Sequence, residues 1–132
     1  MKIILDLMGG DNAPLAPLDG AAQAVKEYGV QVVGLGNEAL IRKTAADNNI
    51  SLEGIELVNC TENIEMCDEP ARAVRQKKDS SIVVGLTMLK EGKGDAFVSA
   101  GSTGALHVGT SLIVRALRGI KRPALATMIP AQ

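Results

Sequence analysis

Aromatic side chains are almost absent from this chain. Tyr28 and Phe97 are the only two in 132 residues, and there is no tryptophan. Proteins that bind single-stranded nucleic acid stack the bases on aromatic rings, so this composition argues against such a partner. The chain also has no large excess of positive or negative charge, because 14 basic and 15 acidic residues leave a formal net charge of −1. We therefore expect no nucleic-acid partner.

Cysteine and histidine are scarce as well. The chain has one histidine and two cysteines, Cys60 and Cys67. The spacing of the cysteines fits neither a CxxC redox motif nor a zinc knuckle, and one histidine is too few for the usual zinc sites. The sequence therefore predicts no metal site, and it predicts free thiols in a reducing cytoplasm.

Long hydrophobic runs are missing too. No apolar stretch approaches the length that spans a bilayer, and residues 1–7 are too few for a signal peptide. Hydrophobic residues make up 46% of the chain, which is within the usual globular range. The length suffices for one domain with a core of Val, Ile, Leu, Ala and Met.

Strand-like and helix-like runs alternate along the chain. Helices are predicted at residues 16–28, in a short segment capped by Asn37, and at residues 70–78, 80–90 and 103–117. Strands are predicted at residues 3–5, 31–35, 55–58, 95–99 and 124–129. This alternation predicts an α/β fold with a parallel sheet and helices on its faces. The sequence stops at Gln132 directly after a predicted strand, so we expect a fragment of a longer α/β protein.

The segment Ser-Ala-Gly-Ser-Thr-Gly at residues 99–104 lies between a predicted strand and a predicted helix. Glycines let the backbone approach a ligand, and the first amides of a helix, with its dipole, favour an anion. The hydroxyls of Ser99, Ser102 and Thr103 add donors. This loop indicates a phosphate or carboxylate pocket. The same residues also suit an ordinary loop with an N-cap, and both interpretations stay open.

A second polar loop follows the first predicted strand. It carries Asp6, Asp11 and Asn12 around the pair Gly9 and Gly10. The acids would orient a substrate or hold backbone donors in place. The alternative is a plain turn with a capping aspartate and glycines at positive φ. Ligands of parallel sheets bind beyond the carboxyl ends of the strands, so this loop and the 99–104 loop are expected to line one crevice.

A basic stretch occupies residues 69–81. Arg72 and Arg75 are three residues apart and so share a face of the predicted helix. The guanidinium group of arginine can donate two parallel hydrogen bonds to the oxygens of a phosphate. The alternative is a solvated basic face, which is the usual role of such a run. His107 follows the 99–104 loop by one helical turn, and because it has no identifiable partner we assign it no catalytic role.

Long motifs in this chain resemble the PlsX family, the acyl-ACP:phosphate acyltransferases of bacterial phospholipid synthesis. They are IILDLMGGDNAP at residues 3–14, EPARAVRQKKDSS at 69–81, VSAGSTGAL at 98–106 and GIKRPALA at 119–126. The resemblance covers essentially the whole chain and well under half of a full-length member. The family usually has asparagine at the position of Ser102. Serine keeps a hydrogen-bond donor there but lacks the side-chain amide.

The resemblance implies a Rossmann-like three-layer α/β/α fold with a mostly parallel sheet, related to phosphotransacetylases and isopropylmalate dehydrogenases. It implies that residues 1–132 are the N-terminal part of a single phosphate acyltransferase domain. The implied partners are acyl carrier protein, inorganic phosphate and a second copy in a homodimer. The implied location is the cytoplasm, with peripheral membrane association through the part beyond Gln132.

The implied reaction is attack of inorganic phosphate on the thioester carbonyl of acyl-ACP, which gives acyl phosphate and the free carrier thiol. Phosphate is already an anion near neutral pH, so no metal or cofactor is expected. The expected catalytic residues are Asp6, Asp11, Asn12 and Lys78. The expected substrate-binding residues are Gly9, Gly10, Arg72, Ser99, Gly101, Ser102, Thr103 and Gly104. We expect the fragment alone to be inactive.

Two alternatives remain at this stage. One is an acyltransferase that uses acyl-CoA, as phosphate acetyl- and butyryltransferases do. The other is a non-catalytic anion-binding or dimerisation module that keeps the fold without the chemistry.

Overall fold

Four parallel strands form the sheet in the computed structural model, which describes residues 1–126. The strands are β1 (Lys2–Asp6), β2 (Gln31–Gly36), β3 (Ile55–Asn59) and β4 (Ala96–Val98), in the spatial order β3-β2-β1-β4. The predicted parallel α/β sheet is confirmed. The carboxyl ends of all four strands lie at one edge of the sheet, which is called the carboxyl edge below.

Five α-helices connect these strands and follow them. They are α1 (Leu15–Tyr28), α2 (Glu38–Asp47), α3 (Pro70–Gln76), α4 (Ser81–Lys90) and α5 (Thr103–Gly109). Local sequence sets several of their ends. Gly29 ends α1 in the left-handed region with φ 61°. Asn37 caps α2 by accepting from the amide of Leu40, and Ser80 caps α4 by accepting from the amide of Val83.

Helices cover both faces of the sheet. On one face, α1 and α2 pack over a cluster that includes Leu18, Val32 and Ile41, each at most 3% exposed. On the other face, α4 packs over β1, β2 and β4, where Ile4 and Val33 are fully buried. Successive strand residues point to opposite faces, so β2 serves both clusters. The predicted three-layer α/β/α arrangement is confirmed.

Helix α5 packs against both α3 and α4. Val74, Ile82 and Ala105, one residue from each helix, are buried in a third apolar cluster. Gly109 allows α5 to lie close to α4, because a Cβ at this position would stand 2.7 Å from Leu86 Cδ1. This packing fixes the start of α5 near the carboxyl edge.

The prediction of one helix over residues 103–117 is wrong in its second half. Helix α5 ends at Gly109, the chain continues as a π-helical turn (Thr110–Val114), and Arg115 then takes a φ of 74°. Glycine and β-branched residues have lower helix propensities than alanine or leucine. Apolar spacing does not take this into account, so it overestimates the length of the α-helix.

Two further expectations meet limits. The helical spacing of Leu18, Ala21, Ala22, Val25 and Tyr28 predicts that Tyr28 lies on the buried face of α1, but it is the last residue of that helix and is 70% exposed. Of the strand predicted at 124–129, residues 124–126 form no strand and the remainder lies outside the described residues. Within residues 1–126, no helix is long and apolar enough to cross a membrane.

Candidate functional site

Two polar loops lie side by side at the carboxyl edge. The β1 loop (residues 7–14) follows β1, and the β4 loop (residues 99–102) follows β4, which is the neighbour of β1 in the sheet. Because these strands pair in parallel with Leu5 opposite Val98, both loops leave the sheet at the same level. The two loops therefore lie side by side at the carboxyl edge, and a ligand crevice between them stays a prediction.

Asp6 connects the two loops through its carboxylate. It is the last residue of β1 and is only 2% exposed. Its Oδ1 accepts from the amide of Met8 at 3.0 Å, and its Oδ2 accepts from the hydroxyl of Ser99 at 2.7 Å. Ser99 Oγ accepts in turn from the amide of Gly101 at 3.0 Å. One buried carboxylate therefore holds a backbone amide in each loop, the second one through a hydroxyl.

The two loops touch each other at glycines. A Cβ on Gly9 would stand 2.7 Å from the backbone nitrogen of Gly101 and 2.8 Å from Asp6 Oδ2, closer than side-chain carbons come in proteins. Gly10 has a φ of 96° and faces the methyl group of Ala100. Close approach therefore requires glycine at position 9, and the backbone conformation favours it at position 10.

Helix α5 begins directly after the β4 loop. Ser102 is its N-cap, 6% exposed, and its Oγ accepts from the amide of Ala105 at 3.3 Å. The first amides of a helix have no acceptor within the helix. In the described part of the chain, those of Thr103 and Gly104 donate to no backbone carbonyl. The start of α5 therefore presents backbone amides and the exposed side chain of Thr103 beside the glycine loops.

Helix α3 contributes a further contact to this edge. Its first residue, Pro70, packs against Gly104, where a Cβ would stand 2.7 Å from Pro70 Cγ. Glu69 caps α3 by accepting from the amides of Ala71 and Arg72 at 3.1 and 2.8 Å. The contact of α3 with α5 was not predicted from the sequence. Its one signal, glycine at position 104, fits a flexible loop equally well.

The other predicted site residues lie on the surface. Asp11 and Asn12 are exposed in the β1 loop, and Lys78 is exposed between α3 and α4. Arg72 is exposed, and its Nε donates to Gln76 Oε1 at 3.1 Å. Across residues 1–126, no lysine or arginine side chain forms a hydrogen bond or ion pair with either loop. The donors that the loops offer are therefore amides and hydroxyls.

The chain matches one protein family along its whole length. The family is described as fatty acid synthesis protein, and the match covers residues 1–132. This chain belongs to that family. The match confirms the resemblance to the PlsX family that the motifs indicated.

Relatives with assigned names agree with the family. The chain is 53% identical over 131 residues to the phosphate acyltransferase of Caldicellulosiruptor bescii, which covers 98% of this chain and 39% of that protein. It is 47% identical over 130 residues to the phosphate acyltransferase of Clostridioides difficile, which covers 98% of this chain and 38% of that protein. The chain thus spans about two fifths of the length of these family members.

The fold also occurs in a solved structure. EutD phosphotransacetylase from Staphylococcus aureus matches with a TM-score of 0.66 and 24% identity, over 92% of this chain and 40% of that chain. This likeness concerns the fold, and it confirms the predicted relation to phosphotransacetylase folds.

A buried cysteine follows β3 at the carboxyl edge. Cys60, the residue after β3, is 3% exposed, and its amide donates to the carbonyl of Gly36 at 2.8 Å. Burial, followed by the negative charge of Asp79, raises the pKa of the Cys60 thiol to about 11. The thiol is therefore protonated near neutral pH and is a poor nucleophile. Cys67 is exposed, and both cysteines are free, as predicted.

Proposed function

We propose that this chain forms the phosphate-binding wall of a phosphate acyltransferase that transfers a fatty acyl group from acyl-acyl carrier protein to inorganic phosphate. The contact between Gly9 and Gly101, which joins the β1 and β4 loops beside the start of α5, is the observation that carries the proposal. The name of the relatives, phosphate acyltransferase, supports the reaction class.

The proposed reaction depends on positioning more than on a strong base. A phosphate oxygen attacks the thioester carbonyl, and its lone pair forms the new C–O bond while the carbonyl electrons move onto oxygen. The resulting oxyanion collapses, the C–S bond breaks, and the carrier leaves as a thiolate that takes a proton from water. The products are acyl phosphate and the carrier thiol. The protein has to hold the phosphate, align it and stabilise the oxyanion.

The donors for phosphate lie at the start of α5. The amides of Thr103 and Gly104 are available, and both they and the helix dipole favour an anion. Ser102 Oγ uses a lone pair to accept from Ala105, which leaves its hydroxyl proton for a ligand. The glycines of the two loops keep side chains away from the approach of the ligand.

Other predicted residues take supporting roles in this proposal. Asp11 and Asn12, exposed in the β1 loop, orient the substrate on the facing wall. Arg72 and Lys78 are exposed cations that neutralise charge or dock an acidic carrier protein.

The proposal extends to the assembly of the full-length protein. It acts in the cytoplasm as a homodimer that associates peripherally with the membrane, without a metal or cofactor. Membrane association resides in the part of the relatives that this chain does not cover. The uncovered part also completes the active site, so residues 1–132 alone are inactive.

The test is turnover of a full-length protein that carries this segment, with the variants Ser102→Ala and Thr103→Val. Each of these hydroxyls donates to the phosphate in this proposal, and a lost hydrogen bond to a charged group costs about 1.5–3 kcal/mol, so we expect kcat/KM to fall about ten- to a hundredfold. Ser111→Ala is the matched control, because that hydroxyl donates to the carbonyl of His107 within the helical segment. Its turnover should stay near the wild-type value.

Two outcomes would change the proposal. Wild-type turnover in both Ser102→Ala and Thr103→Val would refute the assignment of phosphate to the start of α5. Faster turnover with acyl-CoA than with acyl-acyl carrier protein, measured in parallel, would replace the proposed acyl donor.

A further inference from the structure

We infer that Asp6 and Ser99 form a positioning pair that sets the direction of the Gly101 amide and so shapes the phosphate site. The inference rests on the proposed function, in which the β1 and β4 loops border the bound phosphate. Neither side chain touches the substrate in this assignment.

The hydroxyl of Ser99 has no proton left for a phosphate. A serine hydroxyl carries one proton, and that of Ser99 goes to Asp6 Oδ2 at 2.7 Å. A lone pair of the same oxygen accepts from the amide of Gly101 at 3.0 Å. The unprotonated oxygens of phosphate only accept, so Ser99 would have to leave Asp6 in order to donate to them. The two hydrogen bonds of Ser99 instead link Asp6 to Gly101, so the position of Asp6 sets that of the Gly101 amide.

Asp6 acts in the same indirect way. It is 2% exposed, and both of its carboxylate oxygens already accept a hydrogen bond, one from Met8 and one from Ser99. A buried carboxylate requires such donors, and charge strengthens the bonds to them. A second anion directly beside it would be repelled. We therefore assign Asp6 a positioning role, in which its carboxylate fixes Met8 and Ser99 through hydrogen bonds and does not contact phosphate.

An asparagine at position 6 would break this arrangement while keeping its shape. The side chain of asparagine has one accepting and one donating group, whereas Met8 and Ser99 both donate to Asp6. An amide can accept from only one of them, so the hydroxyl of Ser99 would have to turn its proton away. Asp6→Asn and Ser99→Ala thus disrupt the same connection.

The experiment measures acyl phosphate formation by the full-length protein with palmitoyl-acyl carrier protein and inorganic phosphate. The variants are Asp6→Asn, Ser99→Ala, the double variant and Ser99→Thr, with Ser111→Ala as the matched control. We expect each disrupting single variant to raise the KM for phosphate about tenfold, with the KM for the acyl donor within about twofold of wild type. The KM for phosphate of the double variant should be no higher than that of the more impaired single variant, because both substitutions disrupt the same hydrogen bond between Asp6 and Ser99. Ser99→Thr retains the hydroxyl and should restore the wild-type KM for phosphate.

The outcomes separate this inference from the proposed function. An unchanged KM for phosphate in Ser99→Ala, or additive losses in the double variant, would overturn the positioning pair while loss of turnover in Ser102→Ala keeps the proposed function. A collapse of kcat in Asp6→Asn without a change in KM would place Asp6 at the reacting atoms and also overturn the pair. A wild-type protein that forms no acyl phosphate overturns both proposals. If Ser99→Ala fails to fold, the KM for phosphate of Asp6→Asn decides in the same directions.

Discussion

Gly9 lies so close to Gly101 that a Cβ on Gly9 would stand 2.7 Å from the Gly101 backbone nitrogen. The two glycines belong to loops that follow different strands, and the parallel pairing of β1 with β4 brings those loops together. The contact makes one continuous backbone surface from two loops that are distant in sequence. This surface and the adjoining start of α5 form the candidate site.

Gly9→Ala should destabilise the fold and disturb the site together. The added methyl group collides with backbone, which cannot move aside as a flexible side chain would, so we expect a loss of about 1–3 kcal/mol in the free energy of unfolding. Urea unfolding of the full-length protein measures this loss, and acyl phosphate formation should fall in parallel.

Gly20→Ala is the matched control for this substitution. Gly20 lies within α1, and a Cβ there would meet nothing within 4 Å. Alanine in a helix is more favourable than glycine by roughly 0.5–1 kcal/mol, so this variant should be slightly more stable than wild type. Equal stability of Gly9→Ala and Gly20→Ala would contradict the contact with Gly101.

The two thiols should react at very different rates. Burial raises the pKa of Cys60 from 9.0 to about 11, which lowers its thiolate fraction about a hundredfold, and the folded protein also shields it. Cys67 is exposed. Iodoacetamide at mildly alkaline pH, followed by mass spectrometry, should label Cys67 quickly and Cys60 only after denaturation. Rapid labelling of Cys60 in the native protein would contradict its burial.

Asp79 should make stability depend on pH in the acid range. The hydroxyl and the amide of Thr61 donate to its carboxylate and lower the pKa of Asp79 below the ordinary value of 3.8. Because the folded pKa is depressed, this stabilisation is present above that ordinary value and is lost as the pH falls through the folded pKa. Asp79→Asn should therefore lower the melting temperature near neutral pH, and the difference from wild type should be smaller at about pH 3. A difference that is the same at both pH values would contradict this assignment.

Residues 1–132 on their own should self-associate. Strand β4 is at the edge of the sheet, its residue Val98 is 49% exposed, and Leu112 in the following helical segment is also 49% exposed. Unpaired strand edges and exposed apolar patches associate with other chains. Light scattering should detect oligomers or aggregates, and Val98→Lys should reduce them. A monodisperse monomer at high concentration would contradict the expectation.

Local features of this fold could be predicted from the sequence, because their causes are local. Gly29 directly follows the predicted helix at 16–28 and ends α1, and Asn37 caps α2 as predicted, since each acts on residues within one helical turn. The polar loops after β1 and β4 were also located, because glycines and polar residues interrupt apolar runs there. The α-helix predicted over the second half of residues 103–117 is wrong, since apolar spacing does not distinguish an α-helix from a π-helical turn.

The internal connections of the site could not be predicted from the sequence. Asp6 and Ser99 are 93 residues apart, and their hydrogen bond exists because β1 and β4 are neighbours in the sheet. The sequence suggested hydroxyl donors at Ser99, Ser102 and Thr103 alike, and only the fold shows that the proton of Ser99 goes to Asp6. Packing of Pro70 against Gly104 likewise depends on tertiary structure.

The central measurement is acyl phosphate formation from palmitoyl-acyl carrier protein and inorganic phosphate, with a full-length protein that carries this segment and with residues 1–132 alone. We expect acyl phosphate from the full-length protein and none from the segment. Absence of acyl phosphate in both, with palmitoyl-CoA also tested as the donor, would contradict the proposed function and favour a non-catalytic anion-binding module.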